Sequence, residues 1–509
     1  MEFYCDKDRP VVATNHGKIR GYFYQGVYHF KGISYAKAER FCPPEDVEDW
    51  KGVKDALNYG NVCPLMYKEC GDGDFMAPHR VWFQDENCQN LNLWTPTLEP
   101  HKKLPVLVWL HGGGFFAGSA IEQYAYDGYN MSYFGNVVVV TVNHRLNVLG
   151  YMDLREFGGK FERSVNVGNL DLIAALKWIR INIEKFGGNP DNVTIFGQSG
   201  GGAKVITLMQ MPAADGLFHQ AVIMSGTLGD FLTDSGKNMC PVVQKMLSNM
   251  AICQNDMEKL QKVPYAQLAA NYLEAYNEIW GGKGVPYFAP VTNRDYIGDP
   301  MKVGFSENAK KIPVMIGSVF SEFCQSPYKD KHISDQEAQT ILMRHYGTKT
   351  AENLMKEFIR SYPERPLHDI FILDSRAFRY WTKKWVEKRM AERAAATFSY
   401  LFTMEFPFNG GTSAWHCADI PFFFHNIDKV PVVNVDGISQ QLQKKMFNAL
   451  MNFVRFRTPS CEGLEMWTEC KPGDEVTMLF DKNCEARHNF DTKLIELHYS
   501  LKVAPTLFD

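Results

Sequence analysis

Two kinds of hydrophobic pattern follow one another along the chain, and their order predicts the architecture. Residues 14–41 alternate apolar and polar positions between the glycines Gly17, Gly21 and Gly32. That period suits strands with one wet face and predicts an antiparallel meander. Residues 104–110 (Leu-Pro-Val-Leu-Val-Trp-Leu) and 136–142 (Asn-Val-Val-Val-Val-Thr-Val) are nearly unbroken apolar runs of strand length, which fit strands covered on both faces. From Gly168 the spacing turns helical, with Leu170, Ile173, Leu176, Trp178 and Ile181 recurring until Gly187-Gly188-Asn189-Pro190 stops the helix and opens the next strand. Strand, crossover helix and strand predict a parallel pairing.

Residues 193–196, 219–224, 312–317 and 397–404 supply further core strands. Two mostly helical stretches, 228–285 and 328–395, hang from this series and read as caps over one edge of a single sheet. No repeat, low-complexity tract or Pro/Ser-rich linker divides the chain, so 1–509 is expected to be one α/β domain with helical cap insertions. Around residues 376–393 a stripe of Phe378, Trp381 and Trp385 runs among many Lys and Arg. It is expected to pack on the body of the protein, with its charges solvated, rather than on a membrane surface.

Composition narrows the chemistry. A formal net charge of −4, with no basic block and no glycine-rich phosphate loop, excludes nucleic acid and nucleotides as partners. The 12 cysteines include no Cys-x-x-Cys and no histidine partners at zinc spacing, so no metal site is expected, and free thiols are the simplest reading in a reducing compartment. No apolar run is long enough to cross a bilayer. Residues 1–6 lack the basic start and apolar stretch of a secretory leader, so the expected compartment is cytoplasmic as written, or secreted or periplasmic if a leader was removed.

Candidate chemistry centres on Gly197-Gln198-Ser199-Gly200-Gly201-Gly202. A strand ends here and a helix begins, so Ser199 would sit on a sharp turn with its hydroxyl clear of the sheet. His111-Gly112-Gly113-Gly114-Phe115 follows a predicted core strand. Its unshielded amides suit an oxygen that becomes negative, with the N–H of Gly200 as a further donor. A serine needs a base, and the base an acid. Glu322, five residues beyond Gly317, fits the acid, although it is one carboxylate among 58 Asp and Glu. His416 fits the base, and His425 competes by order alone. A histidine base predicts an acid limb at about pH 6 to 7.

With these residues placed, the chain resembles the type B carboxylesterase family of α/β-hydrolases, which also contains cholinesterases, lipases and catalytically silent adhesion proteins. The resemblance rests on Gly32-Ile33-Ser34-Tyr35-Ala36 with Arg40-Phe41, on Glu86-Asn87-Cys88-Gln89-Asn90-Leu91-Asn92-Leu93-Trp94, and on His111–Phe115. It also rests on Asn143-His144-Arg145-Leu146, on Gly168-Asn169-Leu170-Asp171, and on Phe186-Gly187-Gly188-Asn189-Pro190 leading into the serine turn. It implies the α/β-hydrolase fold, a large mostly parallel sheet flanked by helices with helical caps, and a serine ester hydrolase that needs no cofactor. It selects Glu322 as acid and His416 over His425. It further implies an oxyanion hole from Gly113, Gly114 and Gly200, an Arg40–Glu86 ion pair and a Cys63–Cys88 disulfide. A second family disulfide would use Cys253, with Leu260 near its partner's place and Cys240 as a substitute.

The departures are Gln198 and Gly200, where the family commonly has Glu and Ala, and Phe323, where it has Gly. Gln198 removes a negative charge beside the nucleophile and disfavours cationic choline esters. Trp82, Trp280, Tyr287, Phe288 and Trp415 suggest a small ester with apolar or aromatic portions, though core packing explains such residues equally well. Acyl and alcohol specificity and oligomeric state are left open. The rival readings are a silent binding or adhesion protein on the same fold, and an amidase or lactonase with the same triad.

Overall fold

The computed structural model describes residues 2–66, 78–227, 229, 239–281, 288–323, 333–408 and 411–501. The described residues of 1–71, 79–222 and 230–309 form one compact unit, and those of 72–78, 223–229 and 310–509 a second.

The first unit is built on strands in the order Phe3–Tyr4, Tyr22–Tyr24, Val27–Ser34, Asn90–Thr95, Val138–Val142, Leu104–Leu110 and Gly188–Gln198. The last three pair in parallel, and the strands before them are antiparallel. The division follows from sequence. Leu107, Val108, Val139, Val140 and Ile195 are fully buried, as unbroken apolar runs demand once both faces of a strand are covered. The alternating region does not make one meander. Lys18–Arg20 leaves it for a small sheet with Val11–Ala13 and Val53–Asp55, and Tyr22–Tyr24 with Val27–Ser34 forms the antiparallel flank.

The crossover helix Val167–Asn182 buries Leu170, Ile173, Leu176 and Trp178 as expected, but Ile181 is 57% exposed. At that end burial passes to Ile179, Asn182 and Ile183. The stretch 228–285 carries the helices Cys240–Asn249, Glu258–Lys262 and Tyr265–Trp280.

In the second unit Val314–Val319, Thr397–Phe402 and Val476–Phe480 pair in parallel, with Glu485–His488 antiparallel at the edge. The stretch 328–395 carries the helices Asp335–Tyr346, Thr348–Ser361 and Arg379–Ala391. The first opens on a capping box between Ser334 and Glu337, which satisfies two amides that the first turn leaves without carbonyl partners.

The helix Arg379–Ala391 packs on its unit through Phe378 and Trp385, but its cations are not all solvated. Arg379, Lys383 and Arg389 are buried. Arg389 is held by Thr397 Oγ1 at 2.9 Å and the Ile312 carbonyl at 2.8 Å, whereas for Arg379 and Lys383 the reason is a pair of distant carboxylates. Arg379 donates Nε and Nη2 to Asp491 at 2.8 and 2.9 Å, Lys383 donates to Asp491 at 2.8 Å, and Lys383 also pairs with Glu475. Burial alone would raise the Asp491 carboxyl, but Arg379 and Lys383 outweigh it and hold the group well below the carboxylate range. Removing one member of such a cluster strands buried charge. Asp491→Ala is therefore expected to lower the unfolding free energy by about 3–5 kcal/mol in urea titration, and a change within experimental error would show that the cluster carries no net stability.

Candidate active site

The first unit supplies a serine and a cradle of amides. Gly188–Gln198 runs parallel to Leu104–Leu110 with Gly197 opposite Leu110, so both strands end at the same level. The chain then turns through Ser199 at φ 57° and ψ −125° and enters the helix Gly200–Met209, whose first bond runs from Ala203 N to Ser199 O at 3.0 Å. A non-glycine residue in this region costs about 1–3 kcal/mol and persists only where its surroundings enforce it.

The 111–114 loop lies directly against this turn. A Cβ on Gly200 would fall 2.3 Å from Gly114 N, so the approach requires glycine. Gly113 has φ 79°, and its carbonyl is tied by Ala117 N at 2.9 Å. Among the described residues neither Gly113 N nor Gly114 N finds a hydrogen-bond acceptor. Two unspent donors at the mouth of a strained serine turn are what a developing oxyanion requires.

The second unit brings a carboxylate and an imidazole together. Glu322 follows Val314–Val319 at φ 42° and is buried. Its Oε1 accepts Ser225 Oγ at 2.6 Å and Val319 N at 3.0 Å, and its Oε2 meets His416 Nδ1 at 2.5 Å. The backbones are joined as well, since His416 N donates to Glu322 O at 3.0 Å and Ser321 N to Ala414 O at 2.9 Å. With Nδ1 committed to the carboxylate, Nε2 is the nitrogen left to exchange protons with a nucleophile. His425, the competitor by order, caps the helix Ile420–Phe424 and lies against Gln443 and Phe447.

Two rings clamp the imidazole. Phe378 stacks on His416 at 5.1 Å and 15°, and Phe323 at 4.1 Å and 36°. Burial drives His416 down to about 3, against the opposing pull of Asp419 and Asp374. The same burial, reinforced by Asp374, lifts Glu322 well above the carboxylate range, while Ser225 and Val319 N pull it back. Asp419 is itself raised to about 7 by burial and holds Tyr400 Oη at 2.8 Å. Asp374 accepts the amides of Arg376, Ala377, Phe378 and Arg379 at 2.9–3.1 Å, which fixes Phe378 at the helix start.

The Arg40–Glu86 pair is present, with Nε to Oε2 at 2.8 Å, and Arg40 also holds the carbonyls of Leu260 and Val263 at 3.1 and 2.6 Å. Cys63 and Cys88 differ from the implied disulfide. Both are buried free thiols, and Cys88 hydrogen-bonds Cys63. Burial, with Cys63 beside it, raises Cys88 well above the thiol range. Cys240 and Cys253 are free too. Tyr287 lies outside the described residues. Phe288 is buried against Tyr272, and Trp415 against Phe406. Among the described residues no three His, Cys, Asp or Glu side chains gather as a metal site.

Sequence reasoning missed Ser225, Asp374, Phe378 and Asp419 as supports of the acid and base. Ser225 had a local signal, as the first residue beyond the predicted strand at 219–224. Asp419 stands three residues after His416 but nothing in its type marked it, and Asp374 and Phe378 had no local signal.

The carboxylesterase family model matches residues 8–497. The para-nitrobenzyl esterase of Bacillus subtilis is 30% identical over 487 residues, 92% of this chain and 94% of that protein. Among solved structures, an esterase from Clostridium hathewayi, described as able to hydrolyze aliphatic aromatic polyesters, superposes with a TM-score of 0.93 at 46% identity, covering 98% of this chain and 99% of its own. The Geobacillus stearothermophilus carboxylesterase EST55 gives 0.76 at 31% identity, covering 96% and 100%. The fold is that of the α/β-hydrolases, a large and mostly parallel sheet flanked by helices. The chain belongs to the carboxylesterase family and is a serine hydrolase of carboxylic esters.

Proposed function

We propose that Ser199 is the nucleophile, His416 its general base and Glu322 the acid that orients it, with Gly113, Gly114 and Gly200 donating to the oxyanion. In this reading Ser199 Oγ attacks the ester carbonyl while His416 Nε2 takes its proton. The tetrahedral oxyanion is held by the amides, His416 returns the proton to the leaving alcohol, and water then hydrolyses the acyl-serine by the same steps. The observation that carries the reading is the buried 2.5 Å contact between His416 Nδ1 and Glu322 Oε2, backed by two donors on the other carboxylate oxygen. It is the arrangement that fixes an imidazole tautomer and balances its cation.

The substrates we propose are neutral esters with aromatic portions. Phe323, stacked on the proposed base and 52% exposed, offers a ring face next to the chemistry. The relative described as acting on aliphatic aromatic polyesters supports the same class. Of the other aromatic candidates, Phe288 and Trp415 are spent on internal packing, while Trp82 is partly buried and Trp280 exposed.

Ser199→Ala is expected to reduce turnover of an aryl ester roughly a million-fold and to abolish fluorophosphonate labelling; activity retained by this variant would remove Ser199 from the role. The pH dependence follows from burial. Only neutral His416 accepts a proton, and burial lowers its affinity for one, so the active form persists as pH falls through histidine's ordinary value. The acid limb of kcat/KM is expected below about pH 6.5, lower than the sequence alone suggests. Phe323→Gly opens the imidazole to water and should move the limb up by roughly one unit; a limb already at or above 6.5 in the unaltered enzyme would contradict the burial argument. Because Gln198 carries no charge, 3,3-dimethylbutyl butyrate should be hydrolysed with a kcat/KM at least equal to that of butyrylcholine, its cationic isostere. A clear preference for the choline ester would count against the neutral-ester reading.

A further inference from the structure

Lys204 is a buried cation that none of these hydrolytic steps uses. It is fully buried in the helix Gly200–Met209. Lying four residues after Gly200, it leaves the helix on the same face, and that face lies beneath the 111–115 loop. Its Nζ donates to the His111 carbonyl at 2.9 Å and stands 5.9 Å from the centre of the Phe115 ring. Among the described residues that carbonyl is its one hydrogen-bond acceptor. Burying an ammonium with a single neutral acceptor is costly, and an apolar side chain would fill the space without that cost.

The surrounding groups define what the charge acts upon. His111 and His144, with ring centres 5.3 Å apart, each turn Nδ1 toward a carbonyl at 2.9 Å, Gly112 O and Arg145 O respectively. Nδ1 therefore carries the proton in both, and burial, with Lys204 acting in the same direction, holds both rings well below the histidine range. Arg145 is matched by Asp171 at 2.7 and 2.8 Å. Glu122 is the carboxylate facing the ammonium, and it accepts Ser119 N at 3.1 Å and Tyr126 Oη at 3.3 Å. Burial brings Lys204 down to about 7, while Glu122 and then Cys63 pull the other way.

From the ammonium a line of polarised groups runs into the loop. Lys204 holds the carbonyl of His111, and the His111 imidazole holds the carbonyl of Gly112. The same peptide unit ends in the Gly113 N–H, and a hydrogen bond at the carbonyl end of a peptide strengthens the donor at its other end.

We propose that Lys204 is a positioning residue of the oxyanion hole: its buried ammonium pins the first carbonyl of the 111–114 loop and sets positive charge behind the Gly113 and Gly114 amides, so that oxyanion stabilisation weakens when Lys204 loses its proton. The proposal rests on the assignment of those amides to the oxyanion.

The test follows kcat/KM for p-nitrophenyl butyrate from about pH 5 to about pH 10 in the unaltered enzyme and in Lys204→Met. The unaltered enzyme should fall about tenfold above neutrality to a plateau that is not zero. The Met variant should sit on that lower plateau throughout, with its acid limb unmoved. A second measurement keeps the idea exposed if the variant does not fold. An aryl trifluoromethyl ketone, whose serine adduct is an oxyanion, should bind the unaltered enzyme about tenfold more weakly over the same rise in pH, while the unfluorinated ketone should show no such dependence. An alkaline fall that survives in Lys204→Met, or ketone affinity that stays flat, would overturn the role of Lys204 and leave the oxyanion assignment standing. Failure of the fluorinated ketone to form an adduct at all would instead overturn that assignment.

Discussion

A carboxylate asked to balance a cation in a place that water does not reach sets the terms for the second unit. Burial by itself drives Glu322 toward its neutral form and His416 toward its own. The two groups meet at 2.5 Å, Nδ1 of His416 against Oε2 of Glu322. If the imidazole takes a second proton, as proposed, the donors that stabilise the carboxylate are already in place, Ser225 Oγ and Val319 N. The backbone serves the same end. Glu322 at φ 42° and the His416 N to Glu322 O bond hold the two side chains in register, so little reorganisation is needed as the cation forms.

Buried charge elsewhere follows a plainer rule, and Lys204 shows by contrast why it is unusual. Arg145 lies flat on Asp171, Arg40 on Glu86, and Arg379 with Lys383 on Asp491 and Glu475. In each case a cation meets an anion at hydrogen-bonding distance, which keeps the desolvation penalty in check. Lys204 meets a neutral carbonyl instead. Arg389 is likewise held by neutral oxygens, Thr397 Oγ1 and the Ile312 carbonyl, but it lies far along the chain from the glycine loop; Lys204 sets its charge against the loop of unspent amides, where its field acts on whatever those amides hold.

Elements whose signal is local were legible before any coordinates. The apolar run at 104–110 became a strand with the same ends, and the glycine-rich turn at Ser199 became a strand-to-helix corner because glycine and a β-branched run each have a direct backbone consequence. The ends of the 14–41 region were not legible, because alternation says that a strand has one wet face and not which sheet it joins. Arg379 and Lys383 were misread as solvated, since nothing near them in sequence announces Asp491, more than a hundred residues away. Two supports of His416 were invisible for a similar reason. Phe378 and Asp374 reach it through tertiary packing alone and Asp419, three residues on, carries no mark of its burial, whereas Phe323 was noticed only because it stands where a glycine is usual.

The unusual residues of the serine and base segments act in a common physical direction. Gln198 takes a negative charge away from the residue before the serine. Gly200 lets the 111–114 loop close onto the helix start, where a side chain would hold it off. Lys204 adds positive charge beneath that loop. Phe323, with Phe378, keeps water from an imidazole that would otherwise be readily protonated. Each step makes its surroundings drier or less negative, and each favours an anion that forms transiently over a cation that is bound permanently. Under the proposed assignment, such residues would strengthen their hold as the ester carbonyl becomes tetrahedral and would offer little to a positively charged alcohol group. The selectivity proposed for neutral esters then needs no dedicated pocket, because it follows from the same electrostatics that lower the barrier.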